Sequence, residues 1–237
     1  MIETFTTYAQ PYFWHDATGY SGLVVTIGLL LTSLLIGFIL SLPLSILRIS
    51  HNKWLSNSVW IFTYVFRGTP LYIQLLIIYT GLYQLPIIQF NQILNSFFRN
   101  GGNCAVLALA LNTTAYTTEI FAGALRSIPA GEVEAARAFG IGRISIYAHL
   151  LVPAALRRAL PAYSNEVIFM LHSTAIAFTA TVPDLMKVAG DVNAETYRSF
   201  DAYGIAALIY LCTSLVLIGL FRLLEGRVLA YSKPRKN

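Results

Sequence analysis

Of 237 residues, 56% are hydrophobic and only 11% are charged, against about 25% charged in soluble domains, and the mean hydropathy is +0.62. These values exclude an ordinary water-soluble domain and describe a chain that lives in lipid. The formal charge of +5 does not indicate nucleic acid as a partner, because the basic residues form no stripe interleaved with exposed aromatics.

The first 22 residues carry Glu3 and Asp16 but no Lys or Arg. They lack the basic start of a signal peptide, so the first apolar run is expected to stay as a membrane helix. Crossing the hydrocarbon takes roughly 20 apolar residues, and five stretches qualify: 23–47, 59–83, 104–125, 159–182, where Pro161 suits a first helical turn, and 203–224. Cys104 and Cys212 lie in or beside these runs, without a CxxC pair, and read as packing residues. No repeat and no linker divides the chain, which predicts one all-α membrane domain over 1–237.

Basic residues resist translocation and mark the cytoplasmic side. Arg48 and Lys53 follow the first run; Arg126, Arg137, Arg143, Arg157 and Arg158 follow the third; Arg222, Arg227, Lys233, Arg235 and Lys236 follow the fifth. The opposite side has only Arg99, Lys187 and Arg198, with Glu3, Asp16, Asp184, Asp191, Glu195 and Asp201. Five spans with the N-terminus outside and the C-terminus cytoplasmic satisfy these placements.

The segment 129–153 is then cytoplasmic. After Pro129 and Gly131, Glu132 and Glu134 fall in a first helical turn, where carboxylates complement the dipole, and Ala135, Ala136 and Ala138 favour helix. Gly140 can take the left-handed conformation that stops a helix, and a second short helix, 144–151, is expected to end near Pro153. Short helices depend on packing, so the first is expected to bury its Ala/Val/Phe face. The plain alternative is a helix lying on lipid head groups.

Glu134-Ala135-Ala136, Gly140 and, nine residues on, Leu150-Leu151-Val152-Pro153 resemble the EAA loop of ABC-importer permease subunits, with two aliphatic swaps. "FRGTPLYIQLL" from Phe66, "TEIFAGALRSIPAGEVEAARAFG" from Thr118 and "LPAYSNEVIFMLHSTAIAFTATVPDL" from Leu160 extend the likeness to permeases of the polar amino acid (histidine/glutamine) class, nearest to the histidine and lysine/arginine/ornithine systems. The resemblance implies a type I importer, MetI-like fold in a bacterial inner membrane. It also implies a coupling helix, Glu132, Glu134, Ala135, Ala136, Arg137, Ala138, Phe139 and Gly140, that docks on an ATPase. The implied partners are two ATP-binding subunits carrying ATP and Mg²⁺, a homologous permease, an extracytoplasmic binding protein and membrane lipid. Histidine, lysine, arginine and ornithine are the expected cargo; glutamine, glutamate or cystine is the alternative.

Arg67, Glu119 and Glu166 lie within apolar runs, where a charge facing lipid costs about 2.5 to 3.5 kcal/mol. Arg67 opens "RGTP", whose Gly68 and Pro70 break a helix. Irregular backbone at depth needs protein or water cover, so Arg67 and Thr69 read as gate or cavity lining, or Arg67 as half of a structural ion pair. Glu119 reads as structural. Glu166, with Asn165 before it and Ser173 two turns on, places polar groups on one side of the fourth run, which also carries His172 and Thr174, and could meet a cationic side chain or the α-amino group; pairing with Arg67 or a partner subunit is the alternative. His172 alone reads as a satisfied interior histidine.

There is no G-x-x-x-x-G-K-[ST], so the chain is not expected to bind ATP itself. The four histidines lack metal-ligand spacing. An intramembrane protease would need a Ser/His couple or paired aspartates at depth, and no predicted span contains an Asp. A stand-alone secondary transporter usually shows two related halves, which the chain lacks.

Overall fold

The computed structural model describes residues 1–16 and 19–229; the basic tail residues Lys233, Arg235 and Lys236 lie outside them. The described elements are helical apart from a two-stranded pairing of His15–Asp16 with Gly19–Tyr20. In chain order the helices are α1 (Ile2–Phe13), α2 (Leu23–Arg48), α3 (Lys53–Gly68), α4 (Leu71–Leu76), α5 (Pro86–Phe90), α6 (Gln92–Arg99), α7 (Gly101–Arg126), α8 (Ala130–Ala138), α9 (Arg143–Ser145), α10 (Val152–Ser173), α11 (Leu185–Thr196) and α12 (Ser199–Val228).

By length and apolar composition, two described helices, α2 and α12, can cross a membrane, or three if the bent α3–α4 pair is one span. α7 has 26 residues, about 39 Å at 1.5 Å per residue, yet it is rich in Ala, Thr and Asn. Its position explains this: it is the central helix, packed by α2, α3, α4 and α10, and most of its residues are buried. A helix that meets protein on all sides has no need of a lipid-compatible surface.

The α2–α7 contact rests on small residues. Ser33, Gly37, Ser41 and Ser45, four apart, form a buried stripe on α2, the pattern by which membrane helices approach closely. A β-carbon on Gly37 would sit 2.4 Å from Cγ2 of Thr113.

Two predicted spans take a different form. The second is not one helix over 59–83: α3 begins at Lys53, where Asn52 caps the amide of Trp54, and the chain turns by 102° between Gly68 and Leu71. Pro70 cannot continue the preceding helix, and α4 passes into a π-helical turn, Ile77–Gly81. The fourth begins at Val152, with Pro153 in its first turn and Pro161 inside the helix, then tightens into a 3₁₀ segment, Thr174–Ala180. The second cytoplasmic helix does not end at Pro153. Instead α9 runs through a π-helical turn, Ile146–Leu151, straight into α10, so Pro153 follows an irregular turn within one continuous helical stretch, the kind of place where π-turns occur.

At the opposite end from α8, helices absent from the sequence reading cover the bundle. α1 packs on α11 and α12, with Tyr12 fully buried and its hydroxyl donating to the Ala202 carbonyl at 2.9 Å. Asp184 caps α11 by accepting the Lys187 amide at 2.8 Å.

Replacing Gly37 by Val should force α2 and α7 apart, costing about 1–3 kcal/mol and lowering the melting temperature of the purified complex. Gly28→Ala, where a β-carbon meets nothing within 4 Å, should leave it within a degree or two.

Candidate functional site

Glu166 is buried on α10, 5% exposed, and accepts one hydrogen bond, 3.0 Å from Oγ1 of Thr113 on α7. The preceding residue on α7, Asn112, donates to the Phe66 carbonyl at 3.1 Å and to Oε1 of Gln74 at 3.3 Å. Gln74 donates in turn to the Phe66 carbonyl (2.8 Å), the Thr69 carbonyl (3.0 Å) and Oγ1 of Thr69 (2.7 Å). These two amides supply the donors that the interrupted backbone at Gly68–Pro70 lost, which lets the break stand at depth.

Arg67 does not pair with Glu166. Its guanidinium carbon lies 5.1 Å over the ring of Tyr116, a cation–π contact, and no ion pair within 4.0 Å involves it among the described residues. Tyr116 also meets Phe169 of α10, with ring centroids 6.3 Å apart. Arg67, Tyr116 and Phe169 thus run from α3 across α7 to α10, one helical turn from Glu166.

Glu119 is paired within the chain. It accepts from Nε of Arg48 at 2.8 Å and from Oγ1 of Thr63 at 2.8 Å, while Ser56 bridges the Arg48 side chain and carbonyl. This lock ties the end of α2 to α3 and α7.

The polar residues of the fourth run do not share one face. Asn165 and His172 point out of the chain while Glu166 and Thr174 point in, because neighbours in a helix are 100° apart. His172 bonds Ser214 of α12 at 3.1 Å. The hydroxyls of Ser173 and Thr174 return to the Phe169 and Leu171 carbonyls of their own helix.

The second part of the site is α8. It starts at Ala130, so Glu132 alone is the acid of its first turn, and Glu134 lies further along. The amide of Gly140 bonds the Arg137 carbonyl (2.9 Å) and that of Ile141 the Ala136 carbonyl (3.1 Å), with Gly140 at φ +73°; together these form a Schellman stop. Only Val133 and Ala136 pack inward, against the cluster that holds Ile128 and Ile146. Glu134, Ala135, Arg137 and Ala138 are exposed, and Phe139 and Ile144 are each 86% exposed. Of the Ala/Val/Phe face expected to be buried, Val133 and Ala136 pack within the chain while Ala135, Ala138 and Phe139 stay exposed. Arg158 of α10 holds the base of α8, donating to the Ser127 carbonyl at 2.6 Å and lying 3.7 Å from Glu132.

Sequence reasoning missed Gln74, Asn112, Thr113, Tyr116 and Arg158. Amides in mid-span were the signal for the first two, since each needs a partner in hydrocarbon.

A family profile described as the inner membrane component of binding-protein-dependent transport systems matches residues 33–230. The chain belongs to this family. The permease is 57% identical over 234 residues, 99% of this chain and 98% of the other, to the histidine/lysine/arginine/ornithine transport system permease protein HisM of Escherichia coli K12. A crystal structure of an amino acid ABC transporter with histidines matches with a TM-score of 0.81 and 31% identity, over 96% of this chain and 98% of that one. An inward-facing MetNI methionine ABC transporter matches with a TM-score of 0.73 and 20% identity, over 87% and 94% of the chains, a likeness of fold. The permease therefore has the helical MetI-like fold of an inner-membrane ABC component that works with an ATPase and a binding protein.

Glu119→Leu should strand the Arg48 guanidinium and cost about 1.5–3 kcal/mol, read as earlier thermal unfolding of the purified complex. Adding Arg48→Met should recover part of the loss, because both charges are then gone.

Proposed function

We propose that this permease is the membrane-spanning subunit of an ATP-driven importer for histidine and the cationic amino acids lysine, arginine and ornithine. It crosses the membrane five times, through α2, the bent α3–α4 pair, α7, α10 and α12, with the N-terminus outside and the C-terminus cytoplasmic. Support for the orientation comes from Arg48, Arg126, Arg137, Arg143, Arg157 and Arg158, which lie at the α8 end of the bundle. Two ATPase subunits, which carry ATP and Mg²⁺, dock on the α8 regions of this chain and of a homologous permease, and a binding protein delivers substrate at the other end. This chain is non-catalytic.

The observation that carries the coupling role is α8 itself: a helix with a defined stop, no buried residue, and Phe139 and Ile144 left bare. Isolated helices this short are marginal in water, and a second surface against Ala135, Ala138 and Phe139 would bury what the chain leaves open. α9 continues through the π-helical turn into α10, and Arg158 of α10 lies 3.7 Å from Glu132 in the first turn of α8. Closure of the ATPase pair against α8 would therefore move α10 and, with it, Glu166.

For selectivity, the carrying group is Glu166. An ionised carboxylate has about four acceptor positions, and Thr113 fills one. With Arg67 engaged by Tyr116, the carboxyl remains for a substrate ammonium, guanidinium or imidazole group. Thr69 and Arg67 at the helix break supply a second polar margin.

Glu166→Gln in the reconstituted transporter should reduce ATP hydrolysis stimulated by lysine and arginine by about tenfold or more, the loss expected of a charge-assisted bond, with a smaller effect for a neutral amino acid. Unchanged selectivity would sink the assignment of Glu166. Gly140→Val should force a β-branched residue into a left-handed conformation, costing about 1–2 kcal/mol. The spans should still insert while the ATPase subunits co-purify poorly; normal co-purification with full uptake would count against docking at α8.

A further inference from the structure

The short helices α5 and α6, at the end of the bundle opposite α8, contribute nothing to α8 or to the surroundings of Glu166, yet their side chains are sorted by polarity. On α6, Leu94 and Phe98 turn inward, and Phe98 packs against the main core cluster. Gln92, Asn95, Ser96 and Arg99, at spacings of three, four and seven, form a polar face. Between these two faces lie Ile93, 80% exposed, and Phe97, 38% exposed. α5 repeats the arrangement: Ile88 is buried, while Ile87 and Phe90 are 73% and 90% exposed. Asn91, whose side chain accepts from the amides of Ile93 and Leu94, fixes the bend that sets the two apolar edges side by side. The polar face lines an open groove of about 660 Å³, edged by Phe90, in which Arg99 is the one charged group.

We propose that α5 and α6 form an interfacial wedge: Ile87, Phe90, Ile93 and Phe97 enter the acyl region of the adjacent leaflet, and the Gln92–Arg99 face stays among the phospholipid head groups. Continuity with the lipid-facing wall favours this occupant. α5 follows directly from α4 and the turn after it, whose Tyr72, Ile73, Ile77 and Leu85 are exposed apolar residues of the bundle's outer surface, and α6 packs back on that same region. Charge agrees: the groove offers a guanidinium, four amides and no carboxylate, a set matched to phosphate oxygens. A helix with a narrow apolar face and a polar opposite face settles with the former about 5–10 Å below the head groups. The wedge would brace the α3–α4 bend, which lacks a continuous helix to hold its outer half.

The test is site-directed spin labelling of the assembled transporter in phospholipid nanodiscs, in a Cys212→Ser background, since Cys212 is the exposed native thiol and Cys104 is buried. Nitroxides at Ile87→Cys, Phe90→Cys and Ile93→Cys should relax several-fold more with oxygen than with a water-soluble nickel chelate, and read about 5–10 Å below the phosphate plane. Those at Gln92→Cys and Ser96→Cys should show the reverse. Equal access of the nickel chelate to all five positions would overturn the proposal. So would a result in which the apolar three are in water until the binding protein is added and then lose access to both reagents, which would make the wedge a protein contact instead.

Discussion

In hydrocarbon no water completes an unfinished hydrogen bond, so every interruption of a helix and every buried charge must find its partner inside the protein. α7 supplies those partners. From one helix, Asn112 answers the open carbonyl of Phe66 at the α3–α4 break, Thr113 donates to Glu166, Tyr116 receives Arg67 on its ring face, and Glu119 receives Arg48 and Thr63. The polarity that makes α7 a poor membrane span by composition is what makes the surrounding irregularities tolerable. It also explains why the Ser33–Gly37–Ser41–Ser45 stripe of α2 is so small: with large side chains there, α2 could not close over the hydroxyls of α7 and keep them dry.

The same arrangement separates parts that are fixed from parts that can move. The Arg48–Glu119–Thr63 lock joins α2, α3 and α7 into one body. α10 packs along that body, with side-chain bonds to α7 at both ends of their contact, Thr113–Glu166 and Arg158–Ser127; at its start it is continuous with α9, and Arg158 also lies 3.7 Å from Glu132 of α8. A displacement of α8 would reach α10 through the short 139–142 link, α9 and its π-helical turn, and through the Arg158–Glu132 ion pair. Helix continuity across Pro153 is the decisive detail, since a flexible joint there would dissipate motion before it reached the bundle.

Hydropathy made α2 legible almost to the residue and α12 to within about a turn at each end, and the stop of α8 followed from Gly140 at the end of its Ala-rich stretch. The bend at Gly68–Pro70 was partly legible: the residues announced a helix break, but an apolar run on both sides concealed its 102° turn. The faces of α10 were misjudged because polar residues close in sequence were read as close on the surface, although Asn165 and Glu166 point in different directions. Pro153 and Pro161 misled for one reason. A proline near a helix start and a proline inside a membrane helix look alike in sequence, and only the packing around them tells which is which. The outer helices α1, α5, α6 and α11 went unread because each is too short or too polar to resemble a span, even though Leu94 and Phe98 on α6 show the four-residue spacing of a packed face.

Glu119 and Glu166 show how position converts the same side chain to different ends. Both sit at depth, and both receive a threonine hydroxyl. Glu119 also receives a guanidinium from within the chain, so its charge is spent on holding three helices together. Glu166 is the more deeply buried of the two, yet the nearest available arginine, Arg67, is drawn onto the Tyr116 ring. A carboxylate kept in a low-dielectric site without an internal cation is destabilising by itself. In the import function proposed above, the missing cation would arrive with the cargo, so that binding would relieve a cost the empty transporter bears and release would restore it.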